Sequence, residues 1–279
     1  MARVLVTGAA RGIGRATVLR LAAAGWDVVA AVRREADGEE LTKANPDSIV
    51  TVPLDVTDSE QVAVLAERLP EGLDAIVNNA GVVVGGPLES IPASELRRQL
   101  DVNVVGQAAV TQAVLPRLRA SRGRIVFVSS LSGLIATPMF GAYNASKFAL
   151  EGMADALRME LAPWGIRVVL VEPAQTDTDL WRKADDDLDE AVASLSPEHR
   201  RLYGKHIEGF RKTIPRAQRM AAPVDGVAAT IEKALTTRRP RARYIVGTGP
   251  RAQALMARVT PTPVLDRLLQ MGTGVPRRP

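Results

Sequence analysis

The stretch Val4-Leu5-Val6-Thr7-Gly8-Ala9-Ala10-Arg11-Gly12-Ile13-Gly14 joins a short apolar run to a helical pattern through three glycines. The run reads as a strand, and the pattern over 13–24 reads as a helix. Glycines at such a junction permit a tight turn and let the backbone and the helix N-terminus approach a pyrophosphate closely. The spacing is G-x-x-x-G-x-G rather than G-x-G-x-x-G, so its weight comes from its place between strand and helix. Gly8, Arg11, Gly12, Ile13 and Gly14 are therefore candidate cofactor-binding residues.

Outward from this junction the same alternation continues. Strand-like runs at 28–32, 49–54, 75–77, 125–128, 168–171 and 244–246 are separated by helical patterns at 59–68, 93–120, 142–162 and 224–236. Several runs are apolar throughout, which suits strands buried on both faces. The expected fold is α/β: a single Rossmann-type doubly wound parallel sheet of about seven strands, flanked by helices, with right-handed crossovers. One domain over 1–249 is the economical division. Within it, 179–222 is a long charged insertion that reads as a helical substrate lid, with Ser196-Pro197-Glu198 as a helix start. Residues 250–279 form a C-terminal tail with a short amphipathic turn at 264–269.

Composition excludes several classes. The 279 residues contain no cysteine, so there is no disulfide scaffold, thiolate metal cluster or thiol nucleophile. No apolar run reaches the roughly 18 residues of a bilayer span, and the N-terminus does not read as a signal peptide, so a cytoplasmic protein is expected. The net charge of +5 hides an asymmetry: residues 196–279 carry 17 Lys and Arg against 5 Asp and Glu. A basic C-terminal third suggests an anionic partner, and contact with a membrane surface is one expectation. Nucleic acid is not expected, because few aromatics interleave the cations and no recognised binding motif is present. His199 and His206 lack a third ligand at metal spacing, and no metal is expected.

Four further motifs follow in order: Asn78-Asn79-Ala80-Gly81 after the fourth strand, Asn103 on the next helix, Ser130 at the end of the fifth strand, and Tyr143-Asn144-Ala145-Ser146-Lys147. Together with Thr7-Gly8-x-x-x-Gly12-x-Gly14, the chain resembles the short-chain dehydrogenase/reductase family, whose motifs are T-G-x-x-x-G-x-G, N-N-A-G and Y-x-x-x-K. The resemblance runs along nearly the whole chain. It implies hydride exchange between a carbonyl or secondary alcohol and a nicotinamide, which requires a proton to move on or off the oxygen. Tyrosine titrates near 10 when unperturbed. Lys147, four residues on, shares its helix face, and its ammonium together with an oxidised nicotinamide is expected to lower that value. Tyr143 is thus the expected general acid/base and Lys147 its tuner. Ser130, at the family's separation from Tyr143, is expected to bond the substrate oxygen, ahead of its rivals Ser129 and Ser132. By resemblance, Asn103 holds a proton-relay water on its main chain and Lys147 holds the nicotinamide ribose.

The second strand ends without a carboxylate, and Arg33-Arg34 follows. Arginine meets a ribose 2′-phosphate where a carboxylate would bond a 2′-hydroxyl. Arg33, with Arg11, therefore favours NADP(H) over NAD(H). By resemblance Asp55 and Val56 contact adenine, and Asn79, Ala80 and Gly81 border the cofactor. Pro173, Thr176 and Thr178 stand in a segment resembling P-G-x-x-x-T, which contacts the nicotinamide amide. Ala174 replaces that segment's glycine and would cost of order 1 kcal/mol if φ there is positive. Met139, Phe140, Leu180 and Trp181 are the expected substrate contacts, with other apolar residues of the insertion. The pattern resembles the retinol and 17β-hydroxysteroid dehydrogenase branch, which implies a bulky hydrophobic substrate and a homodimer or homotetramer. A non-catalytic dinucleotide-binding sensor or scaffold is the competing function.

Overall fold

The structure, a computed structural model, describes residues 1–276. Its sheet contains β1 (Arg3–Val6), β2 (Asp27–Val32), β3 (Ile49–Pro53), β4 (Ala75–Asn78), β5 (Arg124–Val128), β6 (Arg167–Glu172) and β7 (Arg243–Ile245). They lie in the order β3-β2-β1-β4-β5-β6-β7, every pair parallel. Alternate residues explain why the strands are apolar throughout. Leu5, Ile76, Ile125, Phe127 and Leu170 face one layer of helices, and Val4, Val6, Val77, Val126 and Val169 face the other.

The helices are α1 (Gly12–Ala23), α2 (Glu35–Ala44), α3 (Ser59–Ala63), α4 (Leu65–Arg68), α5 (Ala93–Leu100), α6 (Gln107–Ser121) and α7 (Gly141–Leu161), followed by α8 (Asp179–Arg182), α9 (Ala184–Ser194), α10 (Pro197–Met220), α11 (Val224–Thr236), α12 (Thr248–Val259) and α13 (Thr262–Thr273). On one face, Val110, Val114 and Leu118 of α6 join Leu150 and Ala154 of α7. On the other, Val18 and Leu21 of α1 meet Val227 and Ile231 of α11. Strand order reverses between β1 and β4, so the glycine turn and the Asn79 loop border one crevice, where such sheets bind ligands.

Four elements differ from the sequence expectation. The helix expected over 93–120 is interrupted by a π-helical segment, Asp101–Gly106. The one expected over 59–68 is split at Val64. Helix α2 was not anticipated; it buries only Gly38 and Leu41, too few for a periodic apolar stripe. The tail is helical over α12 and α13, well beyond the single amphipathic turn expected.

Helices α8–α10 close over Met139. Leu188, Leu195, Ile207, Phe210 and Ile214 bury themselves against it, with Phe140 and Val275 at the edge. Ser196 starts α10 by accepting from the His199 amide at 3.1 Å. The backbone of Gly274, just past α13, lies directly on Gly209 of α10, where neither residue has room for a side chain. No helix among the described residues is long and apolar enough to cross a membrane.

Candidate active site

The glycine turn is built by exclusion. Gly8 (φ +62°) and Gly12 (φ +54°) occupy the left-handed region. A Cβ on Gly8 would sit 2.8 Å from Ala80 Cα, and one on Gly14 would meet the Gly8 carbonyl and lie 2.6 Å from Asn79 Nδ2. The Thr7 hydroxyl accepts from the amides of Asn79 (3.0 Å) and Ala80 (3.1 Å), while Asn79 Nδ2 donates to the carbonyls of Thr7 (3.0 Å) and Gly8 (3.1 Å). The Asn79 side chain is thus a brace locking the β1 and β4 loops together. Ile13 packs beside the core under α1. No side chain caps α1, and its first turn holds no acid. This narrow cradle with open main-chain donors fits a dinucleotide pyrophosphate.

The charges near the end of β2 are unequal. Arg34 is bound in a fork by Asp37, at 2.9 and 2.7 Å. Arg11 pairs with Asp179 at 3.5 Å in solvent. Arg33 is exposed and has no carboxylate at ion-pair distance among the described residues. Asp55 Oδ1 accepts from the amide (2.9 Å) and hydroxyl (2.7 Å) of Thr57. Burial works against the Asp55 carboxylate, but these bonds and Arg33 hold its pKa below the ordinary value. Val56 is buried, and a Cβ on Gly106 would lie 2.7 Å from its carbonyl.

Helix α7 places Tyr143 and Lys147 one turn apart. Lys147 is buried, donates to the Val128 carbonyl at 2.9 Å, and lies 5.7 Å from the Tyr143 ring centroid. Burial lowers its pKa to about 8 against the pull of Glu151. Burial also raises the Tyr143 phenol, with the Ser130 hydroxyl opposing. In the protein without a nucleotide, burial outweighs the lowering expected from Lys147 together with an oxidised nicotinamide. Ser130 lies two residues past β5 in extended conformation, its hydroxyl accepting from the Ser132 amide at 3.1 Å.

Asn103 is fully buried in the π-helical segment. Its Oδ1 accepts from the Val82 amide at 2.8 Å, and its Nδ2 donates to the Val82 carbonyl (3.0 Å) and to Ser146 Oγ (3.1 Å). Ser146 in turn donates to the Tyr143 carbonyl at 2.7 Å. These bonds, with the close approach of Gly106 to Val56, account for the break in the expected helix. Gly81 lies beside the Asn103 amide. Two buried glutamines were missed. Gln99 accepts from the Val84 amide (2.6 Å) and donates to the Val82 carbonyl (2.7 Å), and Gln107 donates to the Ala80 carbonyl (2.7 Å). Gln99, Asn103 and Gln107 recur every fourth residue, a polar stripe on an otherwise apolar helix face that was present in the sequence.

After β6, the Pro173 carbonyl accepts from the Leu131 amide at 2.8 Å. Ala174 has no positive φ, so the turn carries no such strain; among the described residues the non-glycines with positive φ are Arg122 and Met139. Thr176 is buried and donates to the Ala174 carbonyl at 3.1 Å, and Thr178 donates to the Thr176 carbonyl at 3.3 Å. The Thr178 methyl faces Gly12 across the crevice.

A cavity of about 400 Å³ lies between the Val84–Pro92 loop, Met139, Phe140 and the covering helices, with Trp181, Leu188, Leu195, Ile207 and Phe210 in its wall. Phe140, the cap residue of α7, meets Phe210 edge-on with centroids 5.5 Å apart. Met139 (φ +68°) is held there by the Gly86 amide, which donates to its carbonyl at 2.8 Å. Leu195, Ile207 and Phe210 therefore both pack the cover and wall the cavity, whereas Leu202 is exposed and Tyr203 packs against the same cluster outside the cavity wall, its hydroxyl donating to Glu89. The Leu180 side chain lies outside the described residues. Among those described, no group of three His, Asp or Glu is arranged around a metal position.

The family model described as short chain dehydrogenase matches residues 2–189. The chain is 33% identical over 96% of its length to the NADPH-dependent 3-dehydrocapnine reductase of Ornithobacterium rhinotracheale, covering 95% of that protein. It is 35% identical to mouse retinol dehydrogenase 5, over 95% of this chain and 87% of the relative. Among solved structures, a short chain dehydrogenase from Burkholderia cenocepacia in complex with NADP superposes with a TM-score of 0.75 at 27% identity, covering 96% of this chain and 97% of that one. With a parallel seven-stranded sheet and its motifs gathered at one crevice, the chain belongs to the short-chain dehydrogenase/reductase family of oxidoreductases and resembles its retinol dehydrogenase branch.

Proposed function

We propose that this chain is an NADPH-dependent reductase of bulky hydrophobic ketones or aldehydes, with Tyr143 as the general acid. The observation that carries this reading is Tyr143 one helical turn before the buried Lys147, whose Nζ lies 5.7 Å from the phenol ring centroid, with the Ser130 hydroxyl beside the phenol. The phenol is protonated at neutral pH and so has a proton to donate to a carbonyl oxygen, while burial alone makes it a weaker acid that needs the charge behind it. Ser130 bonds the same oxygen and orients it. Lys147, held by the Val128 carbonyl, keeps a positive charge behind the phenol and so favours the phenolate left after donation. A bound nicotinamide nucleotide supplies the hydride. Gly8, Gly12, Gly14 and the α1 N-terminus would hold its pyrophosphate, Asp55 and Val56 its adenine, and Thr176 and Thr178 its amide end. Arg33, with Arg11, would meet the 2′-phosphate. The NADPH dependence named for the Ornithobacterium relative and the NADP in the Burkholderia structure support that choice.

The apolar cavity wall supports a steroid-, retinoid- or lipid-like substrate. The basic residues of 196–279 and the exposed Leu255, Val259, Leu268 and Met271 support peripheral contact of a cytoplasmic homodimer or homotetramer with anionic membranes. Purified protein with NADPH and a panel of apolar ketones and aldehydes tests the activity by loss of nicotinamide absorbance. Turnover with NADPH is expected, and no turnover of any member would overturn the reading. Association with anionic but not neutral vesicles, lost without residues 248–279, is the expected result for the membrane contact; equal failure on both vesicle types would remove it.

A further inference from the structure

Behind Lys147 lies a buried charge cluster that the proposed mechanism does not use. Glu151 is one turn beyond Lys147 on α7, and Glu172 ends β6; both are buried, Glu172 completely. Arg243 of β7 stands between the two carboxylates: its Nε donates to Glu151 Oε2 at 3.0 Å and lies 3.3 Å from Glu172 Oε1, a charge contact without hydrogen-bond geometry. Its Nη2 meets Asp155 at 2.7 Å, and Asp155 also pairs with Arg158 at 3.0 Å. Arg258 of α12 adds a positive charge in the neighbourhood of Glu172, and Ser129 lies beside Glu151.

The hydrogen-bond inventory of this cluster does not close with both glutamates ionised. Glu151 Oε1 has the Ser129 hydroxyl beside it as a donor, but both oxygens of Glu172 are buried acceptors without one. The two carboxyls are within hydrogen-bonding reach of each other. A proton on one of them supplies the missing donor to the other, and removes the repulsion of adjacent buried carboxylates. Burial and the Glu151 charge push Glu172 up to about 8, which puts the proton chiefly there at neutral pH, while Glu151 faces Lys147.

We propose that Glu151 and Glu172 share a single proton and act as positioning residues for Lys147, Glu151 holding the ammonium charged and Glu172 holding Glu151 in place. The proton exchanges only with solvent. This role rests on the assignment of Lys147 in the proposed function, so the test includes measurements that need no turnover.

In the full-length protein, infrared spectroscopy is expected to show a protonated carboxyl stretch at neutral pH that fades as pH rises through about 8 and is missing in Glu172→Gln. Carbon-13 lysine NMR, with Lys147→Ala assigning the resonance, is expected to show Lys147 titrating about one pH unit lower in Glu151→Gln than in wild type. Asp155→Asn, which alters the same cluster away from Lys147, is expected to leave that titration in place. The alkaline limb of kcat/KM should follow the Lys147 titration in each variant. Absence of the Glu172-dependent band overturns the shared proton. A Lys147 titration that is unmoved by Glu151→Gln, or moved equally by Asp155→Asn, overturns the positioning role. If both physical signatures hold while no carbonyl is turned over, the proposed function fails and the proton-sharing pair stands.

Discussion

At the residue scale, desolvation is the largest influence on the groups at the centre of the site, and this sets the pH behaviour. The Lys147 ammonium loses its proton near 8, so the phenolate left by Tyr143 loses its compensating charge above that pH. Activity is expected to fall as pH rises through about 8 in an initial-rate profile, provided the measurements extend below that value. Glu172 carries the opposite lesson for stability. Its folded-state value is raised from 4.5 to about 8, so the unfolded chain releases this proton first and stability declines across that window. The melting temperature of Glu172→Gln relative to wild type should therefore rise as pH goes from 5 to 8 in thermal scans. Arg33 offers a third test. Exposed just past β2 and with no carboxylate at ion-pair distance among the described residues, it should, on exchange to Ala, weaken NADPH by roughly ten- to a hundredfold in Kd while leaving NADH within about threefold.

At the element scale, the turn after β1 is held by packing that tolerates no side chain. Gly14→Ala would drive a methyl into the Gly8 carbonyl and the Asn79 amide, and should cost about 1–3 kcal/mol by denaturant melts while abolishing nucleotide binding. The strand–helix alternation was legible in the sequence because each strand is sandwiched and each covering helix presents a periodic apolar stripe. Two of the four differences have clear physical causes. Helix α2 lies on the surface over Thr51 with almost nothing buried, so its composition carries no period. The π-helical segment depends on bonds from Asn103 to Val82, a residue 21 positions away that no local pattern reveals. The candidate site was legible in its motifs, Tyr143, Lys147 and Ser130 converging as their spacing implied. The Arg243 link to Glu151, across 92 positions, was not.

At the scale of the whole molecule, the charge asymmetry separates two jobs. The cations proposed to read the cofactor, Arg11 and Arg33, lie in the acidic body, while the excess of the last third is carried by α10–α13 and their connections. Of these, α10 belongs to the cover, with α13 packed against it. The Gly209–Gly274 contact and Val275 in the Met139 cluster tie the C-terminal helix to α10 over the cavity. Removing residues 262–279 should therefore raise amide hydrogen exchange throughout α10 while leaving β1–β6 protected. Proton donation by Tyr143 is central to the proposed reaction. The most direct measurement compares wild type with Tyr143→Phe in NADPH-dependent reduction of a carbonyl substrate, with nucleotide affinity measured alongside. A loss of about 10²–10⁴ in kcat with NADPH affinity unchanged is expected; a Phe variant retaining wild-type turnover would contradict this role.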